Sequence, residues 1–190
     1  MSTDHSHKVK ALIPLVDGFE EIEAVTIIDV LRRGGVEVTL AHLGASNAVH
    51  GAHGLVMRAE RAFKEAAADK YDAIVLPGGP GTKQLVDSEA LHHRLRRQRD
   101  EGGLLCAICA APVALVAAGV VEPGLHLTCY PSCAGELDRE CAGVPVVADG
   151  NVITGQAPGA AMLFALVVLS RLRGENAAAE VAAGMVTDVL

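Results

Sequence analysis

The chain has 190 residues, 51% of them hydrophobic and 21% charged, which is enough to build a sizeable core and excludes global disorder. Its 20 glycines follow no triplet period and no longer unit recurs, so collagen and simple solenoids are excluded too. A formal net charge of −7, from 16 basic and 23 acidic residues, disfavours any broad electrostatic grip on nucleic acid or an anionic membrane.

The start, Met1 to Lys8, is polar and lacks the basic end and apolar segment of a secretory signal. The longest apolar runs, near residues 113–121 and 160–169, are about half a bilayer span in length. These features predict a cytoplasmic protein with no membrane partner, a flexible N-terminus over residues 1–7 and a single domain over 8–190. Five cysteines (Cys106, Cys109, Cys129, Cys133 and Cys141) favour reduced thiols over a disulfide framework.

Residues 9–15 (VKALIPL) read as a first strand ending at the Asp17-Gly18 turn signal. Residues 19–33 read as a helix, with acids early, Arg32-Arg33 late, and Gly34-Gly35 as its stop. A second strand spans 36–42, and residues 55–57 with 62–68 form a short excursion with its own turn of helix. Residues 71–76 (YDAIVL) are a buried strand, followed by Pro77-Gly78-Gly79-Pro80-Gly81. This glycine run lacks the G-K-[ST] ending of a phosphate loop and reads as cleft wall.

The polar helix 88–101 carries His92, His93, Arg94, Arg96, Arg97 and Arg99, a charge run that reads as a solvated face. Residues 103–108 (GLLCAI) form a strand that runs without a polar spacer into Cys109, Ala110-Ala111-Pro112 and an apolar helix over 113–119. Residues 125–129, 144–148 and 152–154 read as strands, and 160–172 and 177–186 as closing helices. Strands alternating with amphipathic helices define an α/β chain with a mostly parallel sheet covered on both faces.

The joint at Cys109 is the most informative local feature. A nucleophile between a parallel strand and the following helix sits at the carboxyl edge of the sheet, where such sheets bind ligands, held by a tight turn. Pro112 suits the first helical turn. The amides of Ala110 and Ala111 and the helix dipole are expected to favour thiolate and so depress the pKa of Cys109; a buried structural cysteine is the alternative. Cys106-Ala-Ile-Cys109 is formally C-x-x-C, but residues 104–108 read as strand, so a period of two sends positions 106 and 109 to opposite faces and Cys106 into the core. Glu23 falls with Ile27 and Val30 on one helical stripe and therefore faces inward, where desolvation raises its pKa; Glu20 and Glu21 read as first-turn acids.

Ala107-Ile108-Cys109-Ala110-Ala111-Pro112 resembles the A-I-C-A-[GA]-P signature of the DJ-1/ThiJ/PfpI superfamily, in its DJ-1 and bacterial YajL-like branch. Four more segments agree in order and spacing: Gly18-Phe-Glu-Glu-Ile-Glu-Ala24, Leu76-Pro-Gly-Gly79, Thr154-Gly-Gln-Ala-Pro-Gly159 and the closing helix from Gly174 to Val186. The resemblance implies a flavodoxin-like three-layer sandwich and a homodimer. It also implies Cys109 as nucleophile, Glu23 as the carboxyl group beside its sulfur, Gly79 and Ala110 as anion-stabilising amides, and Gly78, Tyr130, Pro131, Gln156 and Pro158 around the pocket. Two departures matter. Tyr130 precedes Pro131 where many members have histidine, so no Cys-His pair is available there and His126 does not inherit the role. Residue 110 is Ala where the protease-like branch has histidine, which makes peptidase activity unlikely. Gln156 stands where DJ-1 has arginine, as in YajL-like members.

The implied activity is that of a cysteine-dependent deglycase or glutathione-independent glyoxalase acting on methylglyoxal, glyoxal and their early adducts on proteins or nucleotides, without metal or organic cofactor. Two alternatives stand beside it: a redox-sensing stress protein or chaperone regulated by oxidation of Cys109, and a dimeric scaffold with a vestigial elbow. Cys129, Cys133 and Cys141 are candidate resolving thiols for the first of these or ordinary thiols; their spacing is a poor zinc pattern. His50-x₂-His53 reads as adventitious, for want of a carboxylate or thiol in register.

Overall fold

Runs such as Ala73–Leu76 and Leu104–Ile108 are buried at every position, as strands covered on both faces must be. The computed structural model describes residues 8–188, so the expectation for residues 1–7 lies outside the described residues. In chain order the elements are β1 (Lys10–Leu15), α1 (Glu21–Arg33), β2 (Glu37–His42), β3 (Ala48–His50), β4 (Val56–Arg58), β5 (Arg61–Ala62), α2 (Phe63–Ala66), β6 (Ala73–Leu76), α3 (Thr82–Val86), α4 (Glu89–Asp100), β7 (Leu104–Ile108), α5 (Pro112–Ala117), β8 (Val146–Asp149), β9 (Val152–Gly155), α6 (Ala161–Arg173) and α7 (Glu175–Gly184). Short 3-10 helices cover Pro131–Glu136 and Pro158–Ala160.

Seven strands make one sheet in the order β5-β2-β1-β6-β7-β9-β8, parallel throughout except for the final β9–β8 pair. β3 and β4 pair separately as an antiparallel hairpin. Side chains alternate by face: Ala11, Ile13, Val75, Cys106 and Ile108 join the apolar layer under α1, α6 and α7, while Leu12, Ile74, Leu76, Leu105 and Ala107 join the layer under α4 and α5. The result is a flavodoxin-like three-layer α/β sandwich. Among the described residues no helix is long and apolar enough to cross a membrane.

Two expectations from the sequence are corrected. Residues 125–129 form no strand: Leu127 makes only an isolated bridge to Cys141. β8 already occupies the edge of β9, so this segment satisfies its polar groups through side chains, with the Thr128 amide donating to Thr154 Oγ1 at 2.9 Å and the His126 amide to Asp149 Oδ2 at 3.0 Å. Helix α4 is not simply a solvated face either. Arg94, Gln98 and His92 are buried along with Leu91 and Leu95. Gln98 Nε2 donates to the Tyr71 carbonyl at 2.9 Å, and the Arg94 guanidinium lies 5.8 Å from the centre of the Tyr71 ring, within cation–π range. The long stems of such residues cover apolar surface, which a count of charges does not register.

Phe164 of α6 is fully buried and packs in the layer that also holds Ile108 and Cys109. Phe164→Ala is expected to destabilise the protein by about 3–5 kcal/mol, because the neighbouring strands cannot collapse into the space left. The urea unfolding midpoint measures this loss.

Candidate active site

Backbone hydrogen bonds tie the carboxyl end of β1 to that of β6, and the end of β7 to that of β9. The Glu20 amide donates to the Gly78 carbonyl at 2.9 Å, Gly81 to Gly18 at 3.0 Å, and Cys109 to Gly155 at 2.9 Å. Cys109 follows β7 directly with φ of 64°, a left-handed conformation that is uncommon for a residue with a side chain. That turn breaks the period of two. Cys109 packs in the same layer as Cys106, on the α1 side, not on the opposite face as strand alternation alone predicts. Cys106 is fully buried in the core, and burial pushes its thiol well above the ordinary value.

Gly78 and Gly79 make room for this turn. A Cβ on Gly78 would lie 2.7 Å from Cys109 Cβ and 2.8 Å from the Ile108 carbonyl oxygen. Gly79 has φ of 108°, and a Cβ there would lie 2.4 Å from the Gly18 carbonyl oxygen. The amides of Gly79 and Ala110 both reach the Cys109 sulfur. The Ala111 amide does not take part as expected, because it donates to the Ile108 carbonyl at 3.0 Å in closing the first helical turn.

Glu23 comes from α1 and is completely buried. The Gly78 amide donates to its Oε2 at 2.7 Å, whereas Oε1 is buried without a hydrogen-bond donor. Burial raises the Glu23 carboxyl to about 7 against the lowering effects of the Gly78 amide and the Cys109 thiol, with Glu20 adding a smaller upward push. The expected depression of the Cys109 pKa is not found. Burial, followed by the charge and hydrogen bonding of Glu23, pushes the thiol up to about 12, and the Ala110 and Gly79 amides only partly offset this. Two acids this close hold their protons jointly: a first ionisation removes one proton from the pair, and the second is strongly opposed. The singly protonated pair can place its proton on oxygen or on sulfur. With the proton on oxygen, Glu23 becomes a donor beside a thiolate.

A cleft of about 330 Å³ opens beside this pair, lined by Gly79, Ala110, Thr82, Val113, Cys133 and Glu136 among others. Thr82, Val113 and Glu136 carry no recognisable sequence signal; the turns on either side of the cleft bring them there. The Tyr130 amide donates to the Cys109 carbonyl at 2.7 Å, and Pro131 opens the 3-10 helix that carries Cys133 and Glu136. Of the residues expected around the pocket, Gly78, Tyr130, Pro131, Gln156 and Pro158 are not among those lining this cleft: Gly78 is turned to Glu23, and Gln156 Nε2 donates to the Gly143 carbonyl at 3.2 Å. His126 is exposed and pairs with Asp149 at 3.0 Å.

Glu20 and Glu21 do more than face the helix dipole. Glu20 caps α1 through the Ile22 amide at 3.3 Å, while Glu21 Oε1 accepts from the His53 amide at 2.6 Å and Glu21 Oε2 lies 2.9 Å from His53 Nδ1. His53 thus has carboxylates beside it that its spacing to His50 did not reveal. Among the described residues, Glu20, Glu21 and His53 are the group whose ligand atoms, all within 4.8 Å of one another, lie close enough to share a cation.

The fold and the turn at Cys109 define a flavodoxin-like α/β protein with a cysteine at the carboxyl edge of its sheet, beside a buried carboxyl. The DJ-1/PfpI family profile matches residues 9–171, and the chain belongs to that family. It is 40% identical over 179 residues to Drosophila melanogaster protein dj-1beta, covering 92% of this chain and 95% of that one. The crystal structure of Drosophila melanogaster DJ-1beta superposes with a TM-score of 0.90 at 38% identity, covering 95% of this chain and 99% of that one. A Caenorhabditis elegans protein named glutathione-independent glyoxalase DJR-1.2 is 34% identical over 166 residues, covering 86% of this chain and 87% of that one.

The raised carboxyl at Glu23 has a consequence for stability. The folded protein retains a proton there between about pH 4.5 and 7, a range in which the unfolded chain releases it. Stability contributed by this group is therefore complete at low pH and is lost as pH rises through that window. Relative to Glu23→Gln, the wild type is expected to lose on the order of 3 kcal/mol between pH 4 and pH 8. Chemical denaturation of both proteins across that range measures the difference.

Proposed function

We propose that the protein is a glutathione-independent glyoxalase that converts methylglyoxal and related α-oxoaldehydes to hydroxy acids. The observation that carries this reading is the buried Glu23 carboxyl, held by the Gly78 amide at 2.7 Å beside the Cys109 thiol. The Cys109 thiolate adds to the aldehyde carbon, and the amides of Gly79 and Ala110 stabilise the oxyanion that forms. Glu23 carries a proton from the former aldehyde carbon to the neighbouring carbon, turning the hemithioacetal into a thioester. Water hydrolyses the thioester, so one methylglyoxal and one water give lactate, and the thiol is restored. A group poised to give and take a proton near neutral pH suits both halves of this transfer.

The name of the nematode relative supports the reading from outside the site. The same addition to early adducts of glyoxals on amines, thiols or nucleobases would amount to deglycation, so glycated proteins and nucleotides are the further substrates proposed. Neither route calls on a metal or organic cofactor, and a cytoplasmic setting suits both. In vitro, ¹H NMR of methylglyoxal incubated without added thiol is expected to show lactate from the reduced wild type. Cys109→Ser is expected to form none, and Glu23→Gln to lose at least about 100-fold in rate, the scale typical of a general acid–base. No lactate from the wild type overturns the proposal.

We further propose that the protein is a homodimer through the outer face of α1 and the β3–β4 hairpin. Ile22, Val25, Leu55 and Val56 are all between 42% and 58% exposed there, and Ile22 and Leu55 line one depression. Such an apolar cluster suits a second copy of the chain. Light scattering is expected to give twice the mass of one chain, falling to a single mass in Val56→Lys.

A further inference from the structure

Outside the Cys109 site, two segments twelve residues apart bring a second pair of thiols together. Cys129 Sγ donates to Cys141 Sγ at 3.6 Å. The backbone holds them side by side through the Leu127 to Cys141 bridge and a 2.8 Å hydrogen bond from the Ala142 amide to the Leu127 carbonyl. Cys129 is completely buried, whereas Cys141 is half-buried and reachable from solvent. We propose that Cys129 and Cys141 form a redox-active dithiol site, oxidised by hydrogen peroxide to an intramolecular disulfide without involvement of Cys109.

The two sulfurs have different surroundings, which assigns their roles. Burial opposes ionisation of Cys141, but the Gly143 and Cys129 amides and the Cys129 thiol outweigh it and hold its thiol below the ordinary value. Burial together with Cys141 pushes the Cys129 thiol up to about 12. Cys141 is therefore the attacking thiolate and Cys129 the resolving thiol. In the first step, Cys141 sulfur attacks one peroxide oxygen and the O–O bond breaks, giving Cys141 sulfenic acid and hydroxide. In the second, Cys129 loses its proton to that hydroxide, giving one water, and its sulfur displaces the hydroxyl from Cys141 sulfur, which leaves as the second water by taking up the proton Cys141 released on ionising. Two thiols and one peroxide become one disulfide and two waters, with sulfur oxidised and peroxide oxygen reduced. The sulfurs must close from 3.6 Å to about 2 Å, a movement that side-chain rotation can supply.

The site also touches the loop beside Cys109. Cys129 Sγ donates to the Tyr130 carbonyl at 3.3 Å, and the Tyr130 amide donates to the Cys109 carbonyl. Oxidation removes the thiol proton from the first of these contacts.

The test uses the full chain carrying Cys109→Ser, which takes the other reactive thiol out of the count and separates this proposal from the glyoxalase reading. The protein is treated with one equivalent of hydrogen peroxide at pH 7.5, quenched with acid, unfolded and alkylated. Alkylatable thiols are expected to fall from four to two, a peptide linking Cys129 to Cys141 is expected in the digest, and dithiothreitol restores all four. In Cys109→Ser/Cys129→Ser the reaction stops at a sulfenic acid on Cys141, trapped by dimedone. Circular dichroism confirms that each variant is folded, and a conservative Cys129→Ala repeats the measurement if the serine variant is not. Four thiols remaining after peroxide, or a disulfide to Cys133 in place of this pair, overturns the proposal.

Discussion

The 2.7 Å hydrogen bond from the Gly78 amide to Glu23 Oε2 is the constraint on which the site depends. It joins helix α1 to the turn after β6 and satisfies one oxygen of a carboxyl group that has no access to water. Because burial outweighs that amide and the Cys109 thiol, the carboxyl keeps its proton to near neutral pH. Without the amide the buried group would be poorer still in partners, and without burial it would be an ordinary carboxylate. Its position beside Cys109 follows from the same bond, since Gly78 is also the residue whose missing side chain lets the cysteine turn approach.

The strain at Cys109 fits the same frame. A residue with a side chain adopts φ of 64° only where its neighbours leave no alternative. Here the amide of Cys109 is tied to Gly155 and its carbonyl to Tyr130, while β6 and β9 flank β7 on either side. The sulfur is turned toward α1 and Glu23, away from the layer that strand alternation assigns to it. In the proposed glyoxalase reaction, reactivity rests on a shared proton in the Glu23–Cys109 pair, and not on a helix dipole acting on an isolated thiol.

The chain uses its cysteines in distinct ways that position explains. Cys106 lies mid-strand, sealed between helices, and stays a core residue. Cys109 lies in the turn directly after the strand and faces a carboxyl. Cys129 and Cys141 lie outside the sheet, on segments joined to each other by the isolated Leu127–Cys141 bridge and otherwise held largely by side chains. That irregularity is what lets two thiols twelve residues apart come within contact.

Much of this was legible in the residues themselves. The apolar runs at 9–15, 71–76 and 103–108, the glycines after β6 and the abrupt step into Cys109-Ala-Ala-Pro112 determined a parallel α/β sheet with a cysteine at its carboxyl edge. The stripe of Glu23, Ile27 and Val30 determined that this acid faces inward, because helical period and burial are local properties. Only the tertiary structure decided the rest. The Cys129–Cys141 contact depends on how an irregular loop folds back on itself; which amide meets the sulfur, the direction of the Cys109 pKa and the carboxylates at His53 each depend on segments far apart in sequence. So does the burial of Arg94, whose charge suggested solvent until Tyr71 was brought beneath it. A local pattern reports which way a side chain faces; only the packing of distant segments reports what it meets there, and pKa values and thiol partnerships are set by what is met.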